Sequence, residues 1–233
     1  MEVLSFLTSH FFSEHCLSCG EELSKVHMGS VCDKCLSKIN FIKGEFCKQC
    51  GGELDTILEC CSKCLEFGIR PWDKAISVMK LEGTALDIIH KYKYSNQFEL
   101  AEFLTQITIN RINEIELEFD YITPIPIHII RYFTRGYNQT ELITKKLSKE
   151  FNKPMLKLLK RKKYTKKQAK LGKEDRKGNL IDAFSFKDRV KNKNCSILLI
   201  DDVFTTGATL SEATKVLKAN GVAEVKVLTL ARR

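Results

Sequence analysis

The chain has 233 residues, of which 43% are hydrophobic and 29% charged, with a formal net charge of +9. That composition excludes a disordered polar chain and is enough for a sizeable core, while no apolar run is long enough to span a bilayer. Ten cysteines in a chain of this length call for either disulfides or metal.

Near the N-terminus, Val3, Leu4, Phe6, Leu7, Phe11 and Phe12 have the spacing of a short amphipathic helix, expected to dock on the protein itself, with membrane-surface contact the alternative that the lack of basic residues there disfavours. Met1 and Glu2 provide no basic leader, and no small-residue cleavage site precedes Cys16. A cytoplasmic, reducing compartment is therefore expected, which argues against disulfides.

Cys16/Cys19, Cys32/Cys35, Cys47/Cys50 and Cys61/Cys64 form four successive Cys-x-x-Cys knuckles, leaving Cys60 and Cys195 over. Each knuckle brings two thiolates to one tetrahedral ion, so eight thiolates make two closed structural zinc sites with no open position for chemistry. Each site contributes an apparent ~10–16 kcal/mol of metal-coupled folding free energy. The knuckles pair either consecutively, 16/19 with 32/35 and 47/50 with 61/64, or in an interleaved cross-brace. Gly20, Gly51 and Gly52 stand where the chain must turn after the first and third knuckles, and the short, similar intervals favour the consecutive arrangement.

The motif Gly68-Ile-Arg-Pro71-Trp72 breaks regular structure where the cysteine-rich composition ends. It divides a metal-binding module, residues 1–70, from an α/β domain, residues 71–233. In the second module the spacing predicts strands at 75–79, 121–125, 155–159, 197–200 and 225–230, and helices at 84–94, 98–112, 138–151 and 208–220. Gly221 is the expected C-cap of the last helix. This alternation predicts a mostly parallel sheet with helices on both faces and ligands at the carboxyl ends of its strands.

Charge is concentrated. Residues 153–177 hold twelve Lys/Arg against Glu174 and Asp175, whereas residues 1–70 hold seven basic and ten acidic side chains. A surface for nucleic acid is therefore expected on the second module, chiefly where Lys160, Arg161, Lys162, Lys163, Lys166, Lys167 and Lys170 surround Tyr164. A solvated connection of the same composition is the competing reading.

The most informative stretch is Ile197-Leu-Leu-Ile-Asp201-Asp202-Val-Phe-Thr205-Thr206-Gly207-Ala-Thr209. It combines a buried strand, two adjacent carboxylates, a hydroxyl-rich glycine turn and a helix N-terminus. Asp201 and Asp202 can accept hydrogen bonds from vicinal ribose hydroxyls, and Thr205, Thr206, Gly207 and Thr209 can hold a terminal phosphate. A sugar phosphate suits both halves. A nucleotide-triphosphate loop would need Gly-x-x-x-x-Gly-Lys-Ser/Thr, which is absent from the chain.

That stretch resembles the signature of type I phosphoribosyltransferases, which bind phosphoribosyl pyrophosphate (PRPP) with Mg2+. Pro124-Ile-Pro126 followed by Arg131, Arg135, Gly136, Tyr137, Asn138 and Gln139 resembles the Pro-x-Pro to Arg-Gly-Phe-Asn-Gln segment of the ComF (ComFC) competence proteins, with Tyr137 in place of Phe. Thr165, Gln168, Leu171, Arg176, Asn179, Ala183 and Phe184 follow that family's next motif, and the four knuckles resemble its double zinc ribbon. The resemblance implies a phosphoribosyltransferase-like domain with two structural zinc ions. It also implies assistance to single-stranded DNA uptake in natural transformation, on the cytosolic side and with a DNA-translocating ATPase as partner. If transfer occurs, Arg131 and Arg135 are the catalytic candidates that meet the departing pyrophosphate, with Mg2+ bridging it to the ribose. Two classes of function follow: a PRPP-binding protein of DNA uptake, or an active transferase that joins the phosphoribosyl group to a base or amine. A PRPP-responsive regulator is a third, weaker reading.

Overall fold

The computed structural model describes residues 15–23, 30–55, 57–95, 97–127, 137–162, 182–187 and 194–233. Its described elements are α1 (Asp33–Leu36), α2 (Ser62–Phe67), β1 (Lys74–Lys80), α3 (Gly83–Tyr94), α4 (Leu100–Glu114), β2 (Tyr121–Pro124), α5 (Gln139–Glu150), β3 (Leu159–Arg161), β4 (Phe184–Phe186), β5 (Ser196–Phe204), α6 (Ala208–Ala219) and β6 (Glu224–Arg232). The expected N-terminal helix and most of the basic run lie outside the described residues.

Four strands form one parallel sheet in the order β1, β6, β5, β2. Parallel strands covered on both faces read as continuous apolar runs, and Ile197, Leu198, Leu199 and Ile200 of β5 are all buried. Alternate side chains feed two cores. Ile76, Val78, Leu198, Ile200, Leu228 and Leu230 join the helical layer of α3, α4 and α5. Ala75, Ile197, Leu199, Val225 and Val227 pack with Leu210, Ala213 and Leu217 of α6 on the other face.

Neither long edge is left bare, as unpaired strand edges are prone to mispairing. The amides of Ile42 and Ala75 donate to the carbonyls of Val78 and Lys48, and Lys80 N–H donates to Asn40, so the cysteine-rich segment lines the edge of β1. Beside β2, the Ile122 amide donates to Pro154 and the Leu156 amide to Ile122. The expected strand at 155–159 is reduced to a single bridge between Met155 and Ile122, and the next regular strand is β3. Pro154 has no N–H, and Pro124 ends β2 after four residues, so little ladder is available there. β3 pairs antiparallel with β4, whose three residues are too short to show a period in the sequence.

Candidate ligand site and metal centres

The carboxyl end of β5 carries Asp201 and Asp202, followed by Thr205, Thr206 and Gly207 and then α6. Gly207 is the N-cap residue, with φ of +76°, a left-handed conformation that side chains with Cβ rarely adopt. A Cβ there would also lie 2.9 Å from both the Phe204 and Trp72 rings. The glycine is thus required twice, by conformation and by space. The Ala208 amide faces the Thr206 hydroxyl oxygen at 3.4 Å. α6 runs for twelve residues without an acidic side chain in its first turn, leaving its positive end uncompensated. Thr205 is exposed, and Thr206 and Thr209 are half-buried at the same loop.

The two carboxylates have different surroundings. Asp201 accepts the Asp202 amide at 2.8 Å. Asp202 pairs with Lys93 of α3 at 2.8 Å, their side chains being only 21% and 14% exposed. Burial, and next the charge of Asp202, push the Asp201 carboxyl up from an ordinary 3.8 to about 7, with the Asp202 amide, Lys93 and Arg161 opposing. Near neutrality, then, Asp201 is readily protonated, while Asp202 faces the Lys93 ammonium.

Lys93 escaped the sequence reading because nothing in the spacing of α3 distinguishes it from its neighbour Lys91. Its position is secured by the Tyr137-Asn138-Gln139 motif. The Tyr137 hydroxyl donates to the Tyr92 carbonyl at 2.9 Å, the Tyr92 hydroxyl to the Gln139 carbonyl at 2.8 Å, and the Gln139 amide group to the Lys93 carbonyl at 3.4 Å. Asn138 caps α5 by accepting the Thr140 amide, and its own amide group donates to Ile125. The Ile125 amide in turn donates to Ile200, one residue before Asp201. The segment after β2 therefore starts beside the carboxylates; residues 128–136, with Arg131 and Arg135, lie outside the described residues.

The cysteines form two consecutive tetrads, Cys16/Cys19/Cys32/Cys35 and Cys47/Cys50/Cys61/Cys64, each with all sulfurs within 4.8 Å of one another. Tetrahedral zinc with Zn–S bonds of ~2.3 Å needs sulfurs roughly 3.8 Å apart, and the Cys19–Cys32 and Cys50–Cys61 pairs stand at 3.8 and 3.7 Å. Burial opposes ionisation of Cys16 and Cys47. Amides of Cys32, Cys19 and Ser18 nevertheless bring Cys16 down to about 6, and those of Cys61, Gln49 and Cys50 bring Cys47 to about 7. Burial pushes Cys35 and Cys50 up to about 12, so neighbouring thiols do not ionise freely together without a cation. The donor set and spacing fit one zinc ion per tetrad, holding structure and leaving no open coordination position. Cys60 and Cys195 belong to neither group.

Residues 7–65 match the double zinc ribbon domain family and residues 141–233 the phosphoribosyl transferase domain family. "Competence protein F" of Haemophilus influenzae is 32% identical over 234 residues, covering 96% of this chain and 99% of the relative. The chain belongs to the ComF family. "DNA utilization protein YhgH" of Escherichia coli K12 is 29% identical, covering 93% of this chain and 96% of that protein. "Competence protein ComFC" of Streptococcus pneumoniae is 27% identical, with 93% and 99% covered. The ComF architecture is a double zinc ribbon joined to a phosphoribosyltransferase-type domain. Among the described residues no helix is long and apolar enough to cross a membrane.

Proposed function

We propose that this ComF-family chain binds PRPP with Mg2+ at the end of β5 and uses that binding in handling single-stranded DNA during natural transformation. The observation that carries the ligand half is the meeting, within one strand-to-helix turn, of Asp201 and Asp202 with the Gly207 loop and the uncompensated start of α6. The carboxylates accept the ribose hydroxyls, while Thr205, Thr206, Gly207 and Thr209 receive the 5′-phosphate. Carboxylate oxygens also suit a hard divalent cation, and Mg2+, when bound, would neutralise pyrophosphate charge. Lys93 is close enough to Asp202 to exchange that partner for a ligand phosphate. Arg131 and Arg135 would meet the pyrophosphate from the segment after β2.

The DNA half rests on the basic run and on the names of the relatives. Within its described part, Lys157 pairs with Glu141 and the Arg161 guanidinium lies 5.4 Å from the centroid of the Phe184 ring, so these two cations are partly engaged. The remaining lysines would replace counterions along a phosphate backbone and Tyr164 would stack on a base. A cytosolic setting and a DNA-translocating ATPase partner belong to the same proposal. In the alternative, an active transferase, a bond from the anomeric carbon to a base or amine nitrogen would replace its bond to pyrophosphate, which leaves with the electron pair. Incubation with PRPP, Mg2+ and candidate acceptors separates the two: pyrophosphate release supports transfer, whereas saturable binding without release supports the binding protein. DNA binding is tested by anisotropy at several salt concentrations, where changing Lys162, Lys163, Lys166 and Lys167 to Ala should flatten the salt slope. An unchanged slope would remove the basic run from the proposal.

A further inference from the structure

The second cysteine tetrad reaches the anion loop through the segment that the sequence reads as a module boundary. Gln49, between Cys47 and Cys50, accepts the Arg70 amide on its side-chain oxygen at 2.9 Å and the Trp72 indole N–H on its carbonyl at 3.1 Å. One knuckle residue thus fixes two anchors, on either side of Pro71. Arg70 sends Nη1 to the Thr206 carbonyl at 2.9 Å, and its guanidinium lies 5.3 and 5.7 Å from the centroids of Phe67 and Trp72. Trp72 is buried and meets Phe204 edge-on at 6.0 Å, and both rings would lie 2.9 Å from a Cβ at Gly207.

A second route runs from the same tetrad. Gly52 leaves room for Arg232, whose Nη1 would lie 1.5 Å from a Cβ at that position. Arg232 in turn lies over the Phe204 ring at 6.0 Å, and the Arg233 amide donates to the Phe204 carbonyl. Phe204, at the start of the loop, is therefore held by a second set of contacts besides Trp72.

The Arg70 contact matters for the direction of the loop amides. In a planar trans peptide the carbonyl and the following N–H point in opposite directions. Fixing the Thr206 carbonyl on Arg70 turns the Gly207 N–H the other way, as an anion-binding nest requires. We propose that Arg70, held by Gln49 of the second zinc ribbon, is a positioning residue that sets the 205–209 loop for the phosphate of the sugar-phosphate ligand. The inference rests on the proposed ligand reading but concerns a different property, the order of the loop before ligand arrives.

The test uses the full chain with zinc content measured at every step. Amide hydrogen exchange at residues 205–210 is compared, without ligand, among wild type, Arg70→Ala, Arg70→Lys and Gln49→Ala. With two zinc ions retained, Arg70→Ala should exchange in this loop at least tenfold faster, with partial recovery in Arg70→Lys, while α4 stays protected. Affinity for ribose 5-phosphate should fall roughly ten- to a hundredfold in Arg70→Ala, the scale of a hydrogen bond to a charged group. Unchanged loop exchange in Arg70→Ala at full zinc content overturns the proposal. If wild type binds neither ribose 5-phosphate nor PRPP, the ligand reading falls, and the exchange comparison still decides whether Arg70 positions the loop.

Discussion

The two cysteine tetrads share a local motif and differ in what surrounds them. In the first, Cys16 and Cys35 are buried but Cys19 is exposed and Cys32 half-buried; in the second all four are buried. Cys16 and Cys35 join the core that also takes in α3, α4 and α5, whereas Cys47, Cys50, Cys61 and Cys64 join the core shared with α6 on the other face of the sheet. The first tetrad is tied to α3 by Lys91, whose ammonium donates to the carbonyls of Leu17 and Ser18 at 3.0 and 2.6 Å. The second sits on the backbone of β1, where a Cβ at Gly51 would lie 2.5 Å from Ile76 and Ser77 backbone atoms. Identical chemistry thus becomes a cap on the helical layer in one case and part of the core shared with α6 and Phe204 in the other.

The largest expected effect follows from that difference. Cys47→Ser should lose one zinc ion and with it most of a site worth an apparent ~10–16 kcal/mol, unfolding the β1 edge and the loop together. Cys19→Ser, at an exposed position, should lose one zinc ion with a smaller drop in Tm and little change in exchange at residues 205–210. Metal analysis and thermal melts on both variants check this, and equal drops would erase the distinction between the tetrads. Next in size is Gly207→Ala, which combines about 1–3 kcal/mol of left-handed backbone strain with close contacts to Phe204 and Trp72. It should lower Tm and remove sugar-phosphate binding while both zinc ions remain.

A smaller effect is expected from pH, with opposite signs for stability and for binding. The Asp201 carboxyl rises from 3.8 to about 7 in the folded chain, so between those values the native state holds a proton that the unfolded state has released. Raising pH through that window therefore lowers this group's contribution to stability. The ionised form is the stronger acceptor for ribose hydroxyls, so affinity should rise with pH and level off above about 7, falling by at most about tenfold per unit below it. Titrations from pH 5.5 to 8.5 on wild type and Asp201→Asn separate this from the ligand's own phosphates; an identical profile in the two would assign it to the ligand. Least affected should be Cys60→Ser, expected to change stability by about 0.5 kcal/mol or less, with both zinc ions retained, because Cys60 stands outside both tetrads.

Much of this architecture was legible because its signals are local. Knuckle spacing indicated the consecutive tetrads, and the apolar run into Asp201 and Asp202 indicated the strand, turn and helix that hold them. By position, Gly51 and Gly52 are turn residues. Gly51 does have a positive φ, but Gly52 is needed for the room it gives Arg232, 180 positions along the chain, a contact that no local pattern encodes. Arg70 and Trp72 were hidden for the same reason, since glycine and proline around them mark a break in regular structure but not what the neighbouring side chains reach. Lys93 became visible only when the fold brought α3 against the end of β5. β4 was missed because three residues carry too little periodicity.

The most direct test of the central claim is the thermal shift produced by PRPP with Mg2+ in wild type and in Asp201→Asn/Asp202→Asn. Neutralising Asp201 removes a charge that burial already disfavours, so the double variant should remain folded, which its unliganded melt will show. Wild type should be stabilised by about 2.7 kcal/mol at a ligand concentration 100 times Kd, and the double variant should show no shift. An undiminished shift in the double variant, or none in wild type at millimolar ligand, would contradict the assignment of the sugar-phosphate site to the end of β5.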